Sequence, residues 1–236
     1  MAPTSRPADF HDTRLLVFAK APIPGQVKTR LMPDLSADAC ARLHRRLIVR
    51  GLTTALAANL GPVELWCAPD CTHPFFAACA RRFGIVIRAQ QGEDLGARMY
   101  LALAASLRQA QCAVIIGCDC PALDARYLSQ ACGALARGAS VVLGPAEDGG
   151  YVLIGLRRVT ATGTPARKIF EDIAWGGSMV LAQTRERLRA CGLSWRELPP
   201  LWDVDRPADL ARLHEAGFRT PTTRRTTRAS RPWRIG

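Results

Sequence analysis

Leu16–Leu31 reads LVFAKAPIPGQVKTRL. The apolar run Leu15–Ala19, ending on Lys20, is long enough for one buried strand. Ala21-Pro22-Ile23-Pro24-Gly25 cannot prolong it, because proline fixes φ and lacks a donor while glycine permits φ > 0. Lys28, Thr29 and Arg30 follow, two cations around a hydroxyl. Open α/β sheets bind ligands in loops at the carboxyl ends of their strands. The stretch therefore predicts the first strand of an α/β sheet whose loop carries an anion site, most simply for a nucleotide phosphate. The plain alternative is a surface turn. In either case both cationic heads are expected to be exposed.

The rest of the chain continues this pattern. Ser36 can cap a helix with Asp38 in its first turn, and Leu43, Leu47, Leu52, Ala55 and Leu56 fall on one stripe at helical spacing. Gly61-Pro62 ends it. Strands are expected at Val63–Cys67, Ile85–Arg88, Ala113–Gly117, Val141–Leu143 and Tyr151–Gly155, with an edge strand at Leu193–Leu198. Helices are expected at His73–Arg82, Glu93–Gln109, Leu123–Arg137, Ser178–Cys191 and Pro207–Ala216. Ala113–Gly117 is apolar throughout, as in a strand buried on both faces. Strands alternating with helices predict a three-layer α/β/α fold on a mainly parallel, Rossmann-like sheet. The domain is read as 14–218, between a flexible N-terminus (1–13) and a basic disordered tail (219–236).

Composition supports a globular protein. A chain of 236 residues with 48% hydrophobic content can bury a sizeable core. No apolar run approaches the ~18 residues of a membrane span, and MAPTSRPADFHDTR lacks the apolar centre of a secretory signal. Nine cysteines without a CxxC pair argue against structural zinc and for reduced thiols in a cytoplasmic protein. The formal charge of +12 is partly terminal, since six arginines and no acids follow Phe218. With no aromatic-rich basic sheet in the folded part, no specific nucleic-acid partner is expected.

Chemistry-bearing residues gather at predicted strand ends. Asp119 follows the apolar run Ala113–Gly117, and Pro121 stops that strand. A carboxylate there can hold Mg²⁺, which uses one or two carboxylates plus substrate phosphates; the alternative is a helix cap. Cys118 and Cys120 beside it read as packing residues. Gly144-Pro-Ala-Glu-Asp-Gly-Gly-Tyr151 is turn-rich, with Glu147 and Asp148 as charges; Asp-Gly also signals a hairpin. Gly92-Glu-Asp-Leu-Gly-Ala-Arg98 opens a helix, where Arg98 could meet an anion. Asp203 and Asp205 share one face of an extended segment, unless one caps the last helix. GxxxxGK[ST], GxGxxG and GxSxG are absent, which removes the main support for ATPase, dinucleotide-binding and α/β-hydrolase readings. His11, His44, His73 and His214 read as isolated surface residues.

FAKAPIPGQVKTRL, GEDLGARM, GCDCPAL, GPAEDGGYVLIGL and DVDRPADL occur in this order over Leu15–Leu213. Together they resemble a bacterial glycosyltransferase-like family of the arsenosugar-biosynthesis type. That family has the type-A glycosyltransferase (nucleotide-diphospho-sugar transferase) fold, and is similar to 2-phospho-lactate guanylyltransferase and the molybdenum-cofactor nucleotidyltransferases. The resemblance implies a transferase that takes a nucleotide or nucleotide-sugar donor and a small-molecule acceptor, with Mg²⁺ or Mn²⁺. Glycosyl transfer is the first reading. The alternatives are nucleotidyl transfer (guanylyl- or cytidylyl-type) to a phosphorylated acceptor with release of pyrophosphate, and nucleotide binding without catalysis. On this resemblance Asp119 binds the metal and Asp205 supplies a second ligand. Lys28 and Arg30 contact phosphate, and Ala19, Lys20, Gly25, Gly92 and Arg98 complete the donor loops. Gly149 and Gly150 form the acceptor-side loop. The cysteines of GCDCP replace the small hydroxyl residues more usual around that aspartate.

Overall fold

The computed structural model describes residues 12–158 and 165–218. Seven strands and seven helices alternate along them: β1 (Thr13–Lys20), α1 (Ala37–Ala58), β2 (Val63–Ala68), α2 (Pro74–Phe83), β3 (Val86–Ala89), α3 (Leu95–Leu107), β4 (Cys112–Gly117), α4 (Ala125–Ala136), β5 (Val141–Pro145), β6 (Tyr151–Arg157), α5 (Pro165–Lys168), α6 (Val180–Ala190), β7 (Trp195–Glu197) and α7 (Asp209–Glu215). The strands form one sheet in the order β3-β2-β1-β4-β6-β5-β7. All neighbours are parallel except β6, which runs antiparallel to both β4 and β5. The edge strand expected near Leu193–Leu198 is β7. The turn-rich segment before Tyr151 does close a hairpin, between β5 and β6.

The alternation of β1 explains the three layers. Leu15, Val17 and Ala19 enter a core with Ile48 and Leu52 of α1, Phe76 of α2 and Leu128 of α4. Leu16 and Phe18 enter a second core with Met99 and Leu103 of α3 and Leu181 and Leu188 of α6. Successive side chains of a strand point to opposite faces, so one apolar run feeds both layers. A third cluster joins Leu31, Leu43 and Leu47 to Trp202, Val204 and Leu213, fastening the last helix over the first.

Local signals set the ends of these elements. Ser36 Oγ accepts from Ala39 N at 3.2 Å and caps α1, as its sequence predicts. Asp94 and Asp124 cap α3 and α4 in the same way. The last helix starts at Asp209 rather than Pro207, because Asp209 Oδ2 turns back to accept from Asp205 N and Arg206 N. Thr13 belongs to β1 and is buried. The remaining twelve-residue N-terminal segment lies outside the described residues but for Asp12, and the basic tail lies outside them altogether. No helix among the described residues is long and apolar enough to cross a membrane.

Candidate active site

Chain direction in the sheet places the site. From β1 the chain moves outward to β2 and β3, then returns to lay β4 on the opposite side of β1. Such a switch point opens a crevice at the carboxyl ends of the two strands. Phe18 pairs with Gly117 across it, so the loop after Lys20 and the residues after Gly117 face one another. A cavity of about 460 Å³ lies there, lined by Phe18–Lys20, the loop Gln26–Arg30, His44, Gln90, Leu95, Arg98, Gly117–Asp119 and Asp205. Its cations are Lys20, Lys28, Arg30 and Arg98, against the carboxylates Asp119 and Asp205.

Lys28 and Asp119 form its centre. Lys28 has a left-handed backbone (φ 53°), uncommon for a residue with a β-carbon. Its Nζ lies 2.9 Å from Asp119 Oδ2 and donates to the Val204 carbonyl. The Lys28 side chain is only 5% exposed, against 42% for Asp119, so the expectation of an exposed head fails here. It fails because β4 and the 203–205 segment close over the loop. Asp119 is not a cap, since Asp124 performs that task for α4. Burial opposes ionisation of Asp119. The Lys28 charge, the first of the opposing causes, outweighs it and holds the carboxyl far below the usual carboxylate range.

His44 corrects the reading of an isolated surface histidine. It is buried (4% exposed), with Nε2 3.1 Å from the Lys20 carbonyl and Nδ1 3.5 Å from Asp119 Oδ1. A carbonyl only accepts, so Nε2 carries the hydrogen, and Nδ1 of a neutral ring turns a lone pair toward a carboxylate. Nδ1 has no hydrogen-bond partner. The signal was present in the sequence: His44 lies four residues after Cys40 and four before Ile48, on the buried stripe of α1. Cys118 Sγ stands 3.5 Å from Asp119 Oδ1, and burial drives its thiol well above the ordinary range.

The segment Asp203–Asp205 is stitched between these groups. Val204 N donates to the Asp119 carbonyl at 2.9 Å, and Val204 itself is buried in the third cluster. Its neighbours therefore turn the other way, toward open space, and neither caps α7. Asp205 Oδ2 lies 2.6 Å from Arg30 Nη1. The sequence puts Asp203 and Asp205 on one face and gives a metal role to Asp205 alone; in the fold both line a cavity. The Asp203 carboxyl is pushed up to about 6, first by burial and then by the Asp148 charge, with Lys28 opposing and Asp119 and Asp205 adding. Asp148 and Asp203 line a second cavity of about 290 Å³, which shares Phe18, Arg30, Leu95, Gly117 and Asp205 with the first.

The remaining sequence candidates divide. Ala19, Lys20 and Arg98 line the first cavity. Gly25 supplies a turn at φ 80° and lies outside both of these cavities. Gly92 accepts from Arg98 Nε at 3.1 Å and so positions that side chain from outside the first cavity. Gly150 lines the second cavity. Gly149 (φ 91°) instead makes a close backbone approach, since a β-carbon there would come within 2.0 Å of the Ser178 carbonyl. Glu147 is engaged by Arg212 at 2.7 and 3.0 Å.

Among the described residues, one group of metal-ligating side chains comes together, His44, Cys118 and Asp119, with ligand atoms within 4.8 Å of one another. The half-exposed Asp119 carboxylate and the unpartnered His44 Nδ1 fit a divalent cation. Asp205 lies outside that group, held by Arg30.

Solved structures share this architecture. A protein of Desulfovibrio desulfuricans G20, provisionally named a nucleotide-diphospho-sugar transferase, is 31% identical, covering 93% of this chain and 92% of its own, with a TM-score of 0.77. A nucleotidyl transferase of Methanothermobacter thermautotrophicus shares the fold at 13% identity, covering 86% of this chain and 96% of its own, with a TM-score of 0.56. A Mycobacterium tuberculosis H37Rv protein solved in complex with manganese does so at 17% identity, over 86% and 97%, with a TM-score of 0.50. The class these likenesses define is one of fold, that of the nucleotide-diphospho-sugar transferases. Within that class the chain belongs to the bacterial family described as "Uncharacterized protein conserved in bacteria" (DUF2064), whose profile matches residues 51–177. No curated protein matches the chain.

Proposed function

We propose that the protein transfers a glycosyl group from a nucleotide-diphospho-sugar donor bound in the cavity at the β1–β4 switch point. The observation that carries this reading is the cation-rich wall of that cavity around Lys28 and Asp119. Anionic diphosphate suits Lys20, Lys28, Arg30 and Arg98, placed before the reaction where leaving-group charge develops. Arg98 and Arg30 can each contact phosphate oxygens bidentately, and Lys28 acts as a point charge. Asp119 would hold Mg²⁺ or Mn²⁺ with His44 beside it, and Asp205 could join only by giving up Arg30. Such an ion supplies Lewis-acid neutralisation of phosphate charge. The likeness to a protein solved with manganese supports a divalent ion.

Nucleotidyl transfer is the second reading, favoured by the four cations, which suit a triphosphate, and by the fold shared with a nucleotidyl transferase. Product analysis separates the two: free nucleoside diphosphate marks glycosyl transfer and pyrophosphate marks nucleotidyl transfer. Binding itself is tested by thermal shift with nucleoside diphosphates, triphosphates and nucleotide sugars, with and without Mn²⁺. Asp119→Asn is expected to abolish the metal-dependent part of the shift and to lower turnover at least about a hundredfold. Equal metal-dependent shifts in wild type and variant would overturn the assignment of Asp119.

A further inference from the structure

The two cavities at the carboxyl edge of the sheet differ in charge. The first sets four cations against two carboxylates. The second keeps one cation, Arg30, against Asp148, Asp203 and Asp205, and Arg30 is already held 2.6 Å from Asp205. These three carboxylates lie outside the metal-ligating group His44, Cys118 and Asp119.

The rest of the second wall is apolar and aromatic. Tyr151 and Trp175 meet edge to face, with ring centroids 6.4 Å apart at 88°. The indole lies against Gly96, where a β-carbon would come within 2.5 Å of Trp175 Cζ2. The missing side chain of Gly96 therefore fixes where this ring sits. A volume of about 290 Å³ is at the small end of the roughly 300–1,000 Å³ usual for ligand sites.

We propose that the second cavity binds the acceptor, and that the acceptor is a small uncharged molecule bearing hydroxyls and an apolar face, such as a sugar, rather than a phosphate ester. Hydroxyl groups donate to carboxylates at good geometry, and the C–H face of a sugar ring lies on aromatic carbon. A phosphate dianion would meet like charges with a single, already engaged, counter-charge; like-charge juxtaposition costs several kcal/mol. The proposal rests on the glycosyl-transfer reading and names its second substrate class. In that reaction the acceptor oxygen bonds to the anomeric carbon while the bond from that carbon to the phosphate oxygen breaks. The nucleoside diphosphate leaves with the bonding pair. The hydroxyl proton passes to a carboxylate of this cavity and then to solvent.

Ligand-observed NMR on the full-length protein tests this with a panel of uncharged methyl glycosides, their 6-phosphates and their 2-amino counterparts. Nucleoside diphosphate binding with Mn²⁺ is followed in parallel by thermal shift. At least one methyl glycoside is expected to bind, at least about tenfold more tightly than its 6-phosphate. Trp175→Leu is expected to remove that signal and leave the nucleotide shift intact. Asp148→Asn, at an exposed position whose turn bond to Gly150 N an amide oxygen preserves, is expected to narrow the preference against phosphate. It serves if the tryptophan variant does not fold. Equal or tighter binding of a 6-phosphate, a preference for the amines, or no binding by any probe would each overturn the proposal. Loss of nucleotide binding in the wild type, with glycosides still bound selectively, would instead overturn the donor reading and leave the selectivity of this cavity standing.

Discussion

At the residue scale the two loop cations are different objects. Lys28 is buried against Asp119, whereas the Arg30 side chain is 61% exposed. Lys28→Met keeps much of the volume and leaves Asp119 without its nearest cation. Stability is expected to fall by about 1–3 kcal/mol, below the 3–5 kcal/mol of a wholly buried pair because Asp119 is half open to solvent. Nucleotide affinity is expected to fall roughly ten- to a hundredfold as well. Arg30→Ala should lose comparable affinity with little change in stability. Urea titration and calorimetry on both variants check the contrast. Asp203 gives a pH signature. Its carboxyl is pushed up to about 6 from an ordinary value of 3.8, so between these values the native state binds more protons than the unfolded chain. Stability contributed by this residue therefore declines as pH rises from about 4 to 6 and stays low above that. Asp203→Asn is expected to raise the melting temperature at pH 7.5 and to give no gain near pH 3.5, as scanning calorimetry at the two pH values would record.

At the element scale the site depends on how loops are pinned. The β5–β6 loop is held at both ends: Ala146 bridges to Leu201, Glu147 is clamped by Arg212, and Gly149 accepts from Leu181 N at 2.9 Å. The Gly149 backbone touches Ser178 so closely that no side chain fits, and its φ of 91° disfavours one in any case. Gly149→Ala is expected to cost more than about 2 kcal/mol, from strain and overpacking together, measured by urea unfolding. The same substitution at Gly25, which has φ 80° but open space around it, should cost less. Paired glycines permit close backbone approach without saying to what. In the fold one glycine serves packing on the residues before α6 and the other lines a cavity.

At the scale of the whole molecule, residues 12–158 and 165–218 close a sheet covered on both faces, with α7 fastened over α1. Phe218, the last residue described before the basic tail, lies under Arg46 and Arg50, whose guanidinium carbons are 5.7 and 5.3 Å from its ring centroid. Removing residues 219–236 is expected to leave the melting temperature and nucleotide binding unchanged. A fall of several degrees in differential scanning fluorimetry would show that the domain extends past Phe218.

The sequence alone determined the elements and their class. The apolar runs, the helix stripes and the Pro/Gly breaks are local signals, and burial on both sheet faces requires such continuous runs. It also placed Asp119 and Lys28 at strand ends, because a strand that stops at Pro121 or at Pro22 must stop at a sheet edge. Only the tertiary structure decided that β1 and β4 are neighbours, and hence that two residues 91 positions apart in the numbering form one ion pair. The burial of Lys28, the place of His44 beneath Asp119 and the choice of Asp203 as a cavity carboxylate follow from that pairing and from the stitching of Val204 between Asp119 and Lys28. Local pattern carries no record of which strand crosses over which, so contacts between distant loops become readable only once the crossover is known.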